Sequence, residues 1–283
     1  MAEVAPGIRR LVAKNPGPFT YTGTGTYVIG RGEVAVVDAG PRDEAHVAAL
    51  LEALRGERIT HQLITHTHLD HSPAAALVKQ ATGAPTWAFA AHGEARAEEG
   101  VAVEEGGDFD FRPDRRVKDG EEIVGAGWRV RAIHTPGHTS NHLCFALEET
   151  GDLFTGDHVM GWSTTVVSPP DGDMAAYMAS LEKLLAREDR VLWPTHGPPV
   201  RETKPFLAYL IRHREAREAA ILSAIAEGHG AIPDMVASIY RDVDKRLHAA
   251  AARSVLAHLV KLAREGRVAR EDAPGGGTLY RLP

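Results

Sequence analysis

Residues 62–71 read Gln62-Leu-Ile-Thr-His66-Thr-His68-Leu-Asp70-His71, an apolar run of strand character that breaks into four metal-competent side chains within six positions. Alternate residues of an extended chain share a side, so His66 and His68 face the same way at the strand's end. A turn at Leu69 then re-aims Asp70 and His71, and one short segment can serve two metals. A lone histidine is most often a polar tip on a satisfied residue. Four such groups packed together make a metal tract, and a single ion would not need them so close.

The pattern recurs downstream. A strand over Trp128–Ile133 leads to TPGH and His138, Leu143–Leu147 leads through a turn to DLFTGD and Asp157, and Val191–Trp193 leads to PTHG and His196. Each run ends at a histidine or aspartate flanked by Gly or Pro, which is how a rigid sheet presents polar groups from tight loops at one edge. The candidate metal ligands are therefore His66, His68, Asp70, His71, His138, Asp157 and His196. With one cysteine against fifteen histidines, the chain can form neither an internal disulfide nor a cysteine cage. Imidazole and carboxylate remain as donors, and they suit zinc. Cys144, inside LCFAL, reads as a small buried apolar residue.

Around these motifs the periodicity predicts an α/β (α+β) chain. Thr26–Gly30 and Val34–Asp38 form a hairpin across Arg31-Gly32, and Val47, Leu50, Leu51 and Leu54 line one face of a helix that Gly56 stops. Ser72 is expected to cap the next helix, with Pro73 in its first position. Trp87–Gly127 reads as loops with short strands. From Pro205 the character changes to a long amphipathic helix ending at Gly228 and Gly230. Two further helices follow, over 232–242 and 247–266, and then a hairpin turning at 271–277: a winged-helix-like module. A chain of 283 residues accommodates a main and a smaller domain, 1–204 and 205–283.

A net charge of -6 with 43% hydrophobic residues gives no nucleic-acid signature. From Pro205 onward 12 Lys and Arg stand against 9 Asp and Glu, a faint basic excess that solvated helix faces explain as well as a nucleic-acid stripe would. Met1–Thr20 holds no apolar signal core, and no uncharged run reaches membrane-spanning length, so a cytoplasmic location and no membrane partner are expected. The sequence carries no signal of oligomeric state.

Taken in order, THTHLDH, TPGHT, TGDH and PTHGP resemble the metallo-β-lactamase superfamily over about residues 26–200. The resemblance implies an αββα sandwich of two mixed sheets with metals in a cleft along one edge. It implies that His66, His68 and His138 hold a first metal, that Asp70, His71 and His196 hold a second, and that Asp157 bridges them. AAYMASLEKLL, HREAREAAIL and LAHLVKLAREGRV are similar to the β-lactamase-like protein 2 subgroup, including its C-terminal winged-helix-like domain.

The implied cofactors are two Zn2+, with Mn2+ or Fe2+ as alternatives. The implied reaction is hydrolysis by a metal-bridging hydroxide, with Asp70 as the catalytic residue that orients it and passes a proton to the leaving group. Aspartate at 157 resembles the thioesterase and nuclease branches, since the true β-lactamases place cysteine or serine there. A thioester or similar small acyl substrate is the leading expectation and single-stranded RNA the alternative. β-Lactam hydrolysis is a side activity at most, and an iron-dependent oxidoreductase is the third class.

Asp38 ends the VAVVD run, where the superfamily often has an aspartate supporting the ligand loops. His134, His142 and His158 flank ligand motifs and are expected to point away from the metals. Trp162, Thr164 and Thr165 are expected to line the cleft. His213, His229, His248 and His258 sit in the helical tail at no metal-binding spacing.

Overall fold

The structure, a computed structural model, describes residues 1–94, 106–242, 244–272 and 277–283. Parts of two regions read from sequence, 95–105 of the loop-rich stretch and 273–276 of the closing turn, lie outside the described residues. The elements run β1 (Ala2–Ala5), β2 (Ile8–Val12), β3 (Gly25–Ile29), β4 (Glu33–Val37), α1 (Glu44–Ala53), β5 (Arg58–Leu63), α2 (Ala74–Thr82), β6 (Thr86–Ala88), β7 (Arg115–Arg116), β8 (Glu122–Gly125), β9 (Trp128–His134), β10 (Leu143–Leu147), β11 (Asp152–Gly156), α3 (Met174–Leu185), β12 (Val191–Pro194), α4 (Thr203–Ala226), α5 (Ile232–Ile239), α6 (His248–Arg264), β13 (Ala269–Asp272) and β14 (Thr278–Arg281).

Strands β1 to β7 form one sheet in sequence order, antiparallel through β4 and parallel from there on. The second sheet runs β12-β11-β10-β9-β8, with β11 and β12 parallel and the other pairs antiparallel. The side-chain period of two explains why both can be buried on two faces. In β3 and β4, Tyr27, Ile29, Ala35 and Val37 enter the core between the sheets, whereas Val28, Val34 and Val36 pack outward with α1 and α2. In β10, Leu143, Phe145 and Leu147 face the same central core, and Cys144 and Ala146 face α3. This is the four-layer sandwich of two mixed sheets that the motifs imply.

Pairing directions end β4 and β5 together in the first sheet and β9, β11 and β12 together in the second, and the segments after them meet, as Thr65 and Thr195 do on Asp38. Ser72 departs from expectation. Its hydroxyl donates to Asp108 Oδ2 at 2.6 Å, α2 begins after Pro73, and no side chain caps the helix. The hydroxyl ties down the loop that crosses the HTHLDH segment.

Helix α4 belongs to two cores. Leu207 and Leu210 pack with α3 behind the second sheet, while Ile221, Ala224 and Ile225 pack with Met235, Val255, Leu259, Val268 and Tyr280. The latter core joins α5, α6 and the β13–β14 hairpin into the winged-helix module. Among the described residues no helix is long and apolar enough to cross a membrane.

Candidate metal centre

Beyond β5 the chain bends at Thr65 and turns after His68, with the His71 and Ser72 amides both donating to the His68 carbonyl (3.0 and 3.2 Å). The expected change of direction at Leu69 is thus a tight turn. His66 Nε2 and His138 Nε2 both approach His68 Nδ1, at 2.9 and 3.1 Å. Zinc–nitrogen bonds at tetrahedral angles hold ligand nitrogens about 3.3 Å apart, so these three already have the spacing of one coordination sphere. The remote nitrogens of His66 and His138 are occupied: His66 Nδ1 lies 3.1 Å from Thr65 Oγ1, and His138 Nδ1 donates to the Val166 carbonyl at 2.6 Å. That donation leaves the His138 Nε2 lone pair facing inward. Burial, reinforced by the neighbouring imidazoles, presses His66 well below the usual imidazole pKa and lowers His138 to about 4. Both rings are neutral donors at physiological pH.

Asp70, His71 and His196 form the adjoining half. His196 Nε2 is 3.0 Å and His71 Nε2 3.5 Å from Asp70 Oδ2. The Asp157 carboxylate stands between the halves, with Oδ1 at 3.5 Å from His71 Nε2 and 3.4 Å from His196 Nε2, and Oδ2 at 3.9 Å from His138 Nε2. Burial alone would raise the Asp70 pKa, but the imidazoles of His71 and His196 bring it down to about 2. The same pairing overcomes burial at His71, where Asp70, Asp157 and Asp38 hold a proton well above the usual range. Three carboxylates gathered in the dry interior call for positive charge.

The fit to metal rests on orphaned atoms. His71 Nε2 and Asp157 Oδ1 are buried without a hydrogen-bond partner, although buried polar atoms are nearly always satisfied. His66, His68 and His138 fall within 4.8 Å of one another as potential ligand atoms, and so do Asp70, His71 and His196, and His66, His71 and Asp157. All seven residues picked from sequence are brought together.

The supporting groups were only partly foreseen. Asp38, fully buried at a left-handed φ of 51°, accepts from Thr65 N (2.8 Å), Thr65 Oγ1 (2.7 Å), His71 Nδ1 (2.9 Å) and Thr195 Oγ1 (3.1 Å). It therefore orients His71 and joins two ligand loops, the one after β5 and the one after β12. Gly156, before Asp157, admits no side chain, since a Cβ there would lie 2.6 Å from His142 Nε2 and 2.7 Å from Thr65 Oγ1. His142 packs behind His66 and bonds Thr135, while His134 stacks on Phe89. Trp162 lies against Gly197, next to His196, and stacks on Tyr21 at 5.1 Å. Thr165 is buried, its hydroxyl on the Asp157 and His158 carbonyls. His92, passed over in the sequence, sits beside His68 and bonds Thr67, which Asn141 also holds. The carbonyls of Val166 and Gly23, the latter 3.3 Å from His196 Nδ1, belong to no motif and have no sequence signal.

The chain is similar to known proteins along nearly its whole length. Residues 22–196 match the metallo-β-lactamase superfamily model, and residues 231–277 match the β-lactamase associated winged helix domain. A β-lactamase-like protein 2 homolog of Drosophila melanogaster is 31% identical, covering 95% of this chain and 91% of its own. An atrochrysone carboxyl ACP thioesterase of Paecilomyces divaricatus is 30% identical, covering 99% and 87%. The crystal structure of a metallo-β-lactamase family protein from Thermus thermophilus superposes with a TM-score of 0.77 at 24% identity, covering 99% and 100%.

Proposed function

Because the chain belongs to the metallo-β-lactamase superfamily and carries the associated winged helix domain behind that fold, we propose that it is a dinuclear zinc hydrolase of acyl thioesters. The observation that carries the dinuclear reading is the Asp157 carboxylate, whose two oxygens face different ligand sets. In this reading His66, His68 and His138 hold one ion, Asp70, His71 and His196 the other, and Asp157 both. The catalytic domain is taken as 1–204 and the winged-helix module as 205–283. Divalent ions bound there supply an acidified water as nucleophile near neutral pH and a Lewis acid for the scissile carbonyl.

The protein's own groups set the geometry. Asp38 fixes the His71 ring so that Nε2 faces the centre. Asp70 is the most open of the three carboxylates, its side chain 27% exposed against 11% for Asp157 and 0% for Asp38. It is therefore the one placed to orient the nucleophile and pass a proton to the departing sulfur. The mouth supports an acyl substrate: Leu69, between two ligands, and Phe109, against His92, are each 53% exposed, and Tyr21 stacks on Trp162 beside the His196 loop. Apolar side chains beside a polar centre suit an acyl chain, and the thioesterase named above supports the same class.

The test is a panel of acyl-carrier and coenzyme A thioesters, S-lactoylglutathione, single-stranded RNA and a cephalosporin, each run with Asp70→Asn. Thioester turnover that Asp70→Asn lowers by about a hundredfold or more, while metal content stays near wild type, is the expected result. RNA cleavage without thioester turnover would replace the substrate assignment, and equal loss of metal and turnover would remove the role given to Asp70.

A further inference from the structure

Helix α4 reaches from the winged-helix module to the back of the metal centre, and Arg214 is its point of contact. Arg214 is 3% exposed, and among the described residues no carboxylate pairs with it. An unpaired buried guanidinium is costly to keep, and this one makes two contacts. Its Nη2 donates to the Thr165 carbonyl, and its Cζ lies 5.2 Å over the Tyr177 ring.

Both contacts lead to ligand segments. The Thr165 hydroxyl is 2.7 Å from the Asp157 carbonyl and 2.9 Å from that of His158, and the Tyr177 hydroxyl donates to the His158 carbonyl at 3.1 Å. The carbonyl next along the chain, that of Val166, takes the His138 Nδ1 proton at 2.6 Å. Tyr177 also presses on the turn before His138, where a Cβ on Gly137 would lie 2.3 Å from the Tyr177 Cα. The segment Thr165–Val166 is thus a strap, gripped from outside by Arg214 and bearing on His138 and the Asp157 backbone from within. None of these contacts reaches Asp70, His71 or His196, and Asp157, assigned to both ions, is touched only at its backbone carbonyl, so the His138 ring is the one ligating side chain that the strap holds.

We infer that Arg214 is a positioning residue for the metal centre: by holding the Thr165–Val166 strap it fixes the direction of the His138 ring, so the helical module sets the affinity of the three-histidine site. This inference rests on the metal assignment above. Partners that orient a ligating imidazole typically change metal affinity by about 10–100-fold when lost, and the strap is one step removed, so the lower figure applies.

The experiment titrates zinc into the metal-free full-length protein against a chromophoric chelator, giving two stepwise constants, with the melting temperature of the metal-free protein measured in parallel. His138→Ala identifies the constant belonging to the three-histidine site. Arg214→Met is expected to weaken that constant about tenfold and leave the other within about twofold. Arg214→Lys, which keeps a buried cation able to reach the same carbonyl, is expected to recover most of the loss. If Arg214→Met does not fold, Arg214→Gln takes its place with the same expectation. Unchanged constants alongside a lower melting temperature would reduce Arg214 to packing and overturn the inference, as would equal weakening of both sites. Wild-type protein that binds fewer than two zinc ions would instead overturn the metal assignment itself.

Discussion

Replacing Asp38 by asparagine changes one atom, and the hydrogen bonds around it dictate the consequences. The two carboxylate oxygens satisfy four donors, of which the Thr65 and Thr195 hydroxyls can rotate and the Thr65 amide and His71 Nδ1–H cannot. Asparagine keeps one oxygen. If it stays on the Thr65 amide, the new NH2 faces His71 Nδ1 at a contact now 2.9 Å long, donor against donor. The imidazole then shifts its proton to Nε2 and offers the centre no lone pair. If the amide is reversed, a fully buried backbone N–H loses its acceptor, at a cost of about 1–3 kcal/mol. Either way the site containing His71 weakens, by about 10–100-fold, or roughly 1.4–2.7 kcal/mol. Stepwise zinc titration of Asp38→Asn should show that loss in one constant and leave the three-histidine constant within about twofold. Asp38→Ala, which strands both fixed donors, should also lower stability by about 2–6 kcal/mol in urea melts. Unchanged stepwise constants in folded Asp38→Asn would refute the orienting role.

The two halves should also bind metal with different pH dependence. Burial and neighbouring rings keep His66 and His138 neutral, whereas the surrounding carboxylates hold the His71 proton well above the usual range. Binding at the His71 half must therefore expel the His71 proton and strengthen as pH rises, whereas His66 and His138 have none to release near neutral pH; calorimetry in buffers of different ionisation enthalpy checks this, and proton release at neither site contradicts it. In the winged-helix module, burial opposes ionisation of Glu218, but His258 and Lys261 bring its pKa down to about 2. A depressed carboxyl pKa stabilises above the unfolded value near 4.5 and is lost as pH falls toward 2. Acid melts should show that slope in the wild type and its absence in Glu218→Gln.

The candidate ligands were legible as a cluster because metal chemistry restricts donors to a few residue types, and the structure brings those residues together at strand ends, where Gly and Pro punctuate the chain. The strands were legible as short apolar runs such as Val34–Val37, whose alternate side chains serve two cores at once, but the sandwich that they build was implied only by the family resemblance. What stayed hidden was whatever acts through the backbone or across distant elements. Ser72 has the local pattern of a helix cap, but Asp108, 36 residues away, takes its hydroxyl. Strands β1 and β2 were not anticipated, being short, with Arg9 and Arg10 side by side between Ile8 and Leu11 and so breaking the alternation that marks a strand. Thr165 was expected to line the cleft and instead turns inward to the Asp157 carbonyl. Arg214 lies in an unbroken helical pattern, where nothing local separates a strap holder from a solvated arginine.

Anomalous diffraction at the zinc absorption edge from crystals of the zinc-loaded protein tests the two-metal centre most directly. Two peaks are expected about 3.5–4 Å apart, one among His66, His68 and His138 and one among Asp70, His71 and His196, with the Asp157 carboxylate between them. A single peak, or two with Asp157 bound to neither, would contradict the account.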